Sequence, residues 1–143
     1  MPRAVTPELV EQFVVHLPHA QALGITLVSC DLEAGRCVLT TPWREELVGD
    51  PDTGVIHGGV ITALLDTLGA ATAITRNIRV QATLDLRIDY LRPATPRMQL
   101  LGDASCYRVT RHVAFVRGVC HQGDPEQPVA NLTATFILQE DKS

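Results

Sequence analysis

Residues 54–76 read GVIHGGVITALLDTLGAATAITR, and the fold is decided by this stretch. Val60, Ile61, Ala63, Leu64, Leu65, Leu68, Ala70, Ala71 and Ala73 fall on every side of a 3.6-residue period. A helix that is apolar all round is a buried one. The stretch therefore predicts a buried central helix over 57–76, opened by His57-Gly58-Gly59. One acid, Asp66, lies inside it, and no Lys, Arg or His occurs between Gly58 and Ile74 to pair with it locally. Burying an unpaired carboxylate costs several kcal/mol, so a chain rarely keeps one without a use. Asp66 is the first candidate functional group; a carboxylate capping a backbone group, or facing solvent at a kink, is the plainer alternative.

The flanking segments read mostly as strands. Thr6-Pro7-Glu8 supplies an N-cap hydroxyl, a first-turn proline and an acid, which predicts a helix over 6–17 that Pro18 ends. Gly24 to Thr41 reads as two strands around the turn Glu33-Ala34-Gly35. Pro42 to Thr53 reads as a polar loop with the turn residues Gly49, Asp50, Pro51 and Asp52. From Val80 to Leu91 the chain alternates: Val80, Ala82, Leu84, Leu86, Ile88 and Tyr90 share one face, and Gln81, Thr83, Asp85, Arg87 and Asp89 the other. Arg92-Pro93-Ala94 ends that strand. Gln99–Arg108 and His112–His121 form a predicted hairpin around Val109-Thr110-Arg111. Val129–Gln139 is the last strand, and 140–143 a flexible tail. Strands around one apolar helix predict a single α+β domain over 1–143. Its antiparallel sheet, of about five strands, wraps around one long central helix, with a short helix at the N-terminus. Such a sheet has open edges, and dimerisation through an edge is one way to close them.

Composition narrows the function classes. The 143 residues are 45% hydrophobic, enough for a core, and the net charge of -4 argues against a nucleic-acid partner. Lys142 is the only lysine. Cys30, Cys37, Cys106 and Cys120 make no C-x-x-C pair, and three of them sit in alternating apolar runs as small core hydrophobes. That usage points to a reducing cytoplasm rather than to disulfides. The opening MPRAVTPELVEQ has no signal-peptide character, and no run approaches the ~18 apolar residues of a membrane span. His16 and His19 resemble a metal spacing, but Pro18 breaks the helix that would align them, so no metal is expected. His121, near a strand end, reads as surface. G-x-S-x-G and P-loop motifs are absent.

The helix start carries the chemistry. His57-Gly58-Gly59 presents unpaired N–H groups and the positive end of a dipole, a ready site for an anion or a developing oxyanion. The two glycines also suit a tight leading turn alone. Gly58 and Asp66 are eight residues apart, roughly 12 Å along a helix. General-base work needs contact near ~3 Å, directly or through one water. One helix does not offer both groups to one carbonyl. Two antiparallel helices across a two-fold axis do, which predicts a homodimer with composite sites.

At these residues the sequence resembles the hotdog-fold thioesterases of the phenylacetic-acid-degradation type. The motifs are G-V-I-H-G-G-V-I-T-A-L-L-D from Gly54 to Asp66 and T-L-D-L-R-I-D-Y-L-R-P-A from Thr83 to Ala94. The resemblance implies a hotdog fold and hydrolysis of acyl-CoA thioesters to free acid and CoA, with no cofactor. It implies that the Gly58 amide holds the thioester carbonyl, that Asp66 activates water or attacks directly, that His57 positions the site and that Thr83 orients the water. The alternation above puts Thr83 on the face turned from its own helix, toward a dimer interface. Relatives often carry Asn in the loop before the histidine. Here that loop offers Asp50 or Asp52, Asp50 being the better positional match, and a carboxylate donates no hydrogen bond unless protonated. Gly59 joins the substrate-binding set. Arg111 and His112 lie where family members often carry a basic residue for the CoA phosphates, with Arg87 and Arg92 as further candidates. Trp43 and Tyr107 read as packing or acyl-pocket residues. The implied partners are acyl-CoA and a second copy of the chain, with a dimer of dimers as a further arrangement. The rivals are an enoyl-thioester hydratase or dehydratase and a non-catalytic acyl-CoA binding protein. Aromatic, medium-chain and long-chain acyl groups all stay open.

Overall fold

The computed structural model describes residues 4–140. Helix α1 runs Pro7–Val15, with the Thr6 hydroxyl accepting from the Leu9 N–H at 3.2 Å. Pro18 does more than end it. Proline's fixed φ and missing N–H suit a first helical turn, and a second helix, α2, runs Pro18–Leu23. The helix predicted over 6–17 is thus shorter than expected and followed by another.

The main sheet holds strands β1 (Thr26–Asp31) and β2 (Arg36–Thr41). A 3-10 turn at Glu45–Leu47 then leads into β3 (Val48–Asp50), inside the segment read as loop, which pairs antiparallel with β4 (Val55–Ile56) just beyond it. Helix α3 spans Gly58–Ile74, within the predicted 57–76. Strands β5 (Val80–Tyr90), β6 (Leu100–Val109), β7 (Val113–His121) and β8 (Ala130–Leu138) complete the sheet. Its order is β1-β2-β6-β7-β8-β5, antiparallel throughout, so six strands replace the expected five or so. This is the hotdog architecture: the sheet wraps α3, which packs on β2, β5, β6, β7 and β8. Leu64, Leu65 and Leu68 of α3 are fully buried with Leu39, Val116 and Phe136. Val10 and Val14 of α1 join the same core.

Two local corrections bear on the site. Strand β5 does not alternate strictly. Val80 pairs with Leu138 and Ala82 with Ile137, so Gln81 is an extra residue; Thr83 pairs with Phe136 and Asp85 with Thr135, so Leu84 is another. Each such bulge re-aims the residues beyond it. Leu84, expected inside, is 54% exposed, while Thr83, expected to face away, meets α3. Second, α3 is not covered on every side of one chain. Thr62, Ala63, Asp66, Thr67 and Ala70 form a half-buried strip at helical spacing.

His121 is buried, not at the surface, with Nδ1 accepting the Gly123 N–H at 3.0 Å. Of the predicted tail, residues 141–143 lie outside the described residues. All four cysteines are free.

Candidate active site

The site begins where β4 hands over to α3. The His57 N–H donates to Leu47 O at 2.9 Å, tying the motif histidine to the segment before β3. A Cβ at Gly49 would lie 2.9 Å from His57 Cα, so β3 can back this residue only because position 49 is glycine. His57 is the N-cap of α3, and its Nδ1 accepts the Gly59 N–H at 2.8 Å. A neutral imidazole accepting at Nδ1 carries its proton on Nε2. The ring therefore satisfies one amide and presents a donor outward. The Gly58 N–H, at the first helical position, has no carbonyl four residues back to receive it.

Two helical turns on, Asp66 is half-buried, and the Thr83 hydroxyl donates to its Oδ1 at 2.8 Å. The carboxylate is thus oriented through one oxygen by a neighbouring strand of its own chain. No thiol competes for a nucleophilic role: burial pushes all four cysteines up, Cys120 to about 12, which keeps them protonated at neutral pH. Among the described residues, no three His, Cys, Asp or Glu side chains gather where a metal ion would sit.

The remaining sequence candidates are placed as follows. Asp50 is turned into its own loop, accepting from the Asp52 N–H at 3.0 Å and the Thr53 hydroxyl at 2.9 Å. Gly59 is exposed and lines a cleft of about 310 Å³ with Leu23, Leu47, Val48, His57 and Ala63. Arg92 donates to Gln127 O at 2.6 Å. It borders a second cleft of about 380 Å³, with Gly58, Ile61, Tyr90, Leu91 and Ala94. Arg87 pairs with Asp89 at 3.4 Å, both exposed. Arg111 is exposed on the β6–β7 hairpin. His112 Nδ1 beside it lies 3.5 Å from Glu140 Oε1. That hairpin adjoins the Val80 end of the sheet, whereas Tyr90 reaches the start of α3. Within one chain, Arg111 and His112 therefore sit at the far end from Gly58. Trp43 is partly buried, its indole donating to Gly54 O at 2.9 Å, and Arg97 stacks 5.9 Å from its ring centre. Tyr107 is an exposed platform with Arg117 at 4.7 Å.

Sequence reasoning missed Tyr90 and Thr62. Their hydroxyls touch each other, and both reach Gly58 O, at 3.3 Å from Tyr90 and 3.2 Å from Thr62. The available signal was Thr62 standing four residues after Gly58, one helical turn along the same face.

Residues 53–129 match the thioesterase superfamily model. The medium/long-chain acyl-CoA thioesterase YigI of Escherichia coli is 28% identical, with 90% of each chain covered. A crystal structure of a Pseudomonas aeruginosa protein is 39% identical, with a TM-score of 0.82, covering 92% of this chain and 98% of the other. A variant of the phenylacetic acid degradation protein PaaI from Thermus thermophilus is 27% identical, with a TM-score of 0.73, covering 86% and 100% respectively. The chain belongs to the thioesterase superfamily, as a hotdog-fold thioesterase of the phenylacetic-acid-degradation type.

Proposed function

We propose that this thioesterase hydrolyses acyl-CoA in a site shared by two copies of the chain, with Asp66 of one and Gly58 of the other. The observation that carries the reading is Asp66 itself, a carboxylate on the uncovered strip of an otherwise apolar helix, oriented by Thr83 through Oδ1. The second oxygen is left to take a proton from water or to attack the acyl carbon. In the first route the water oxygen bonds the acyl carbon, the C–S bond breaks, and the proton taken from water passes to the departing CoA thiolate. In the second the Asp66 oxygen bonds the acyl carbon as the C–S bond breaks, and water then cleaves the resulting anhydride, freeing the acid, restoring the carboxylate and supplying the thiolate's proton. Charge building on the carbonyl oxygen is met by the Gly58 N–H at the positive end of α3. His57 holds the turn that aims that amide, and Asp50 organises the loop behind it.

The dimer follows from what one chain leaves open. Strand β5 is a sheet edge, and Leu84, Tyr90 and Leu91 on or beside it are more than half exposed. Antiparallel pairing of two β5 edges about a two-fold near Leu86 and Arg87 sets Thr83 of one copy across from Tyr90 of the other. The strips of the two α3 helices then face each other, and Asp66 of one chain approaches Gly58 of its partner. The same axis brings the Val80 end of one sheet toward the Tyr90 end of the other. Arg111 and His112 of one copy thereby join Arg87 and Arg92 of the other as the candidate cations for the CoA phosphates. Four free cysteines fit a cytoplasmic setting. The name of the E. coli relative makes medium and long acyl chains the first substrates to assay.

The test is thiol release across a panel of acyl-CoA esters by wild type and Asp66→Ala. Wild type releases CoA, and the variant keeps its fold and releases none. Unchanged turnover in the variant, or tight acyl-CoA binding by wild type without thiol release, refutes the reading.

A further inference from the structure

The proposed chemistry uses neither of the two hydroxyls at the start of α3. Thr62 Oγ1 is 3.2 Å from Gly58 O, Tyr90 Oη is 3.3 Å from the same oxygen, and the two hydroxyls contact each other. Two protons serve three oxygens. Thr62 donates back along the helix to Gly58 O, the usual bond of a helical threonine. Tyr90 donates to Thr62 or to Gly58 directly. Tyr90 is the last residue of β5, so the end of an edge strand is tied to the first turn of the central helix. Its ring lies against Gly58 as well: a Cβ there would be 3.6 Å from Tyr90 Cε1.

An oxyanion donor acts through preorganisation. Gly58 and Gly59 are adjacent, and glycine is the residue with most backbone freedom to lose. Helix ends are also the places that open first. The turn thus needs restraint from outside itself. His57 restrains one side by taking the Gly59 N–H. The hydroxyl pair grips the Gly58 carbonyl, the opposite end of that same peptide, so the plane adjoining the Gly58 N–H across the Gly58 Cα is held from both ends. We propose that Tyr90, acting through and alongside Thr62, is a positioning residue that fixes the direction of the Gly58 N–H. The proposal rests on the reading of that amide as the oxyanion donor.

Tyr90→Phe keeps the ring and removes the grip. With one hydrogen bond contributing about 1 kcal/mol, kcat falls about fivefold while KM stays within about twofold. Thr62→Val gives a similar loss, and Thr62→Ser, which keeps the hydroxyl, restores activity to near wild type. The double variant Tyr90→Phe with Thr62→Val is little worse than either alone, because the two act as one unit. Amide exchange supplies a readout independent of turnover. The Thr62 N–H, which reports opening of the first turn, exchanges faster in Tyr90→Phe, while amides at Leu68 and Thr72 do not change. Unaltered kcat in Tyr90→Phe, an equal loss in Thr62→Ser and Thr62→Val, or fully multiplicative losses in the double variant overturn the proposal. Should wild type release no thiol, exchange still decides: faster Thr62 exchange in Tyr90→Phe supports the grip while the hydrolase reading fails, and unchanged exchange overturns the grip.

Discussion

Replacing Thr83 with valine isolates one hydrogen bond at the site. Valine keeps the β-branched shape that suits a strand and removes only the hydroxyl that donates to Asp66 Oδ1 at 2.8 Å. A hydrogen bond to a charged group contributes about 1.5–3 kcal/mol. Thr83 is exposed and Asp66 half-buried in one chain, so the lower end, about 1.5 kcal/mol, is the appropriate figure. As lost orientation of the proposed catalytic carboxylate, it lowers kcat about tenfold. Stability falls by no more than about 1.5 kcal/mol, the contribution of that hydrogen bond, because the position carries no core packing. The assay is steady-state thiol release at saturating acyl-CoA, with urea unfolding as the control, and Thr83→Ser stays within about threefold of wild type. The same experiment tests the bulges in β5, since under strict alternation Thr83 would point away from its own Asp66. A Thr83→Val enzyme with wild-type kcat, or a Thr83→Ser enzyme as impaired as Thr83→Val, refutes the reasoning.

Two further expectations concern the core. Gly69→Ala would place a Cβ 2.6 Å from Cζ of Phe136, a ring with no exposed surface to retreat toward. Overpacking costs about 1–3 kcal/mol, more than the helix-propensity gain of up to about 1 kcal/mol, so urea unfolding finds a less stable protein. A variant as stable as wild type contradicts the packing. Burial of Cys120 raises its thiol from 9.0 to about 12. Below pH 9 the thiol is protonated in both states. Above it the unfolded chain loses the proton first, so this group's contribution to stability falls as pH rises from about 9 toward 12. Cys120→Ala therefore loses less stability than wild type between pH 8 and pH 10, measured by urea midpoints. Equal losses remove the basis for the raised thiol.

The parts legible in the sequence are those that rest on composition and short-range period. The apolar run after His57 has no reading except a buried helix, and its boundaries fall within two residues of the prediction. Asp66 stands out there because nothing within the helix offsets its charge. What was hidden depended on single insertions or tertiary neighbours. A bulge adds one residue without changing the chemistry of the letters: Leu84 is as apolar as Leu86, so the alternation continues in the text while the chain turns over. Pro18 was read as a stop and is also a start, since one residue suits both roles. The β3–β4 ribbon is too short to show a period, yet it seats His57. The contact of Tyr90 with Thr62 joins residues 28 apart and appears only when β5 is laid beside α3.

The central claim, a site built from Gly58 of one chain and Asp66 of its partner, is tested most directly by mixing two inactive proteins. One is Asp66→Ala. The other is Gly58→Pro, which deletes the amide donor at a first helical position that accepts proline. His57 before it already has φ -64 and ψ 135, the extended conformation that proline requires of its predecessor. In an isologous dimer, a mixed pair has one site with both groups intact and one with neither. Random reassociation of equal amounts therefore restores about a quarter of wild-type thiol release, because half of the dimers are mixed. A mixture as inactive as its parents, with both proteins folded and exchanging subunits, contradicts the shared site.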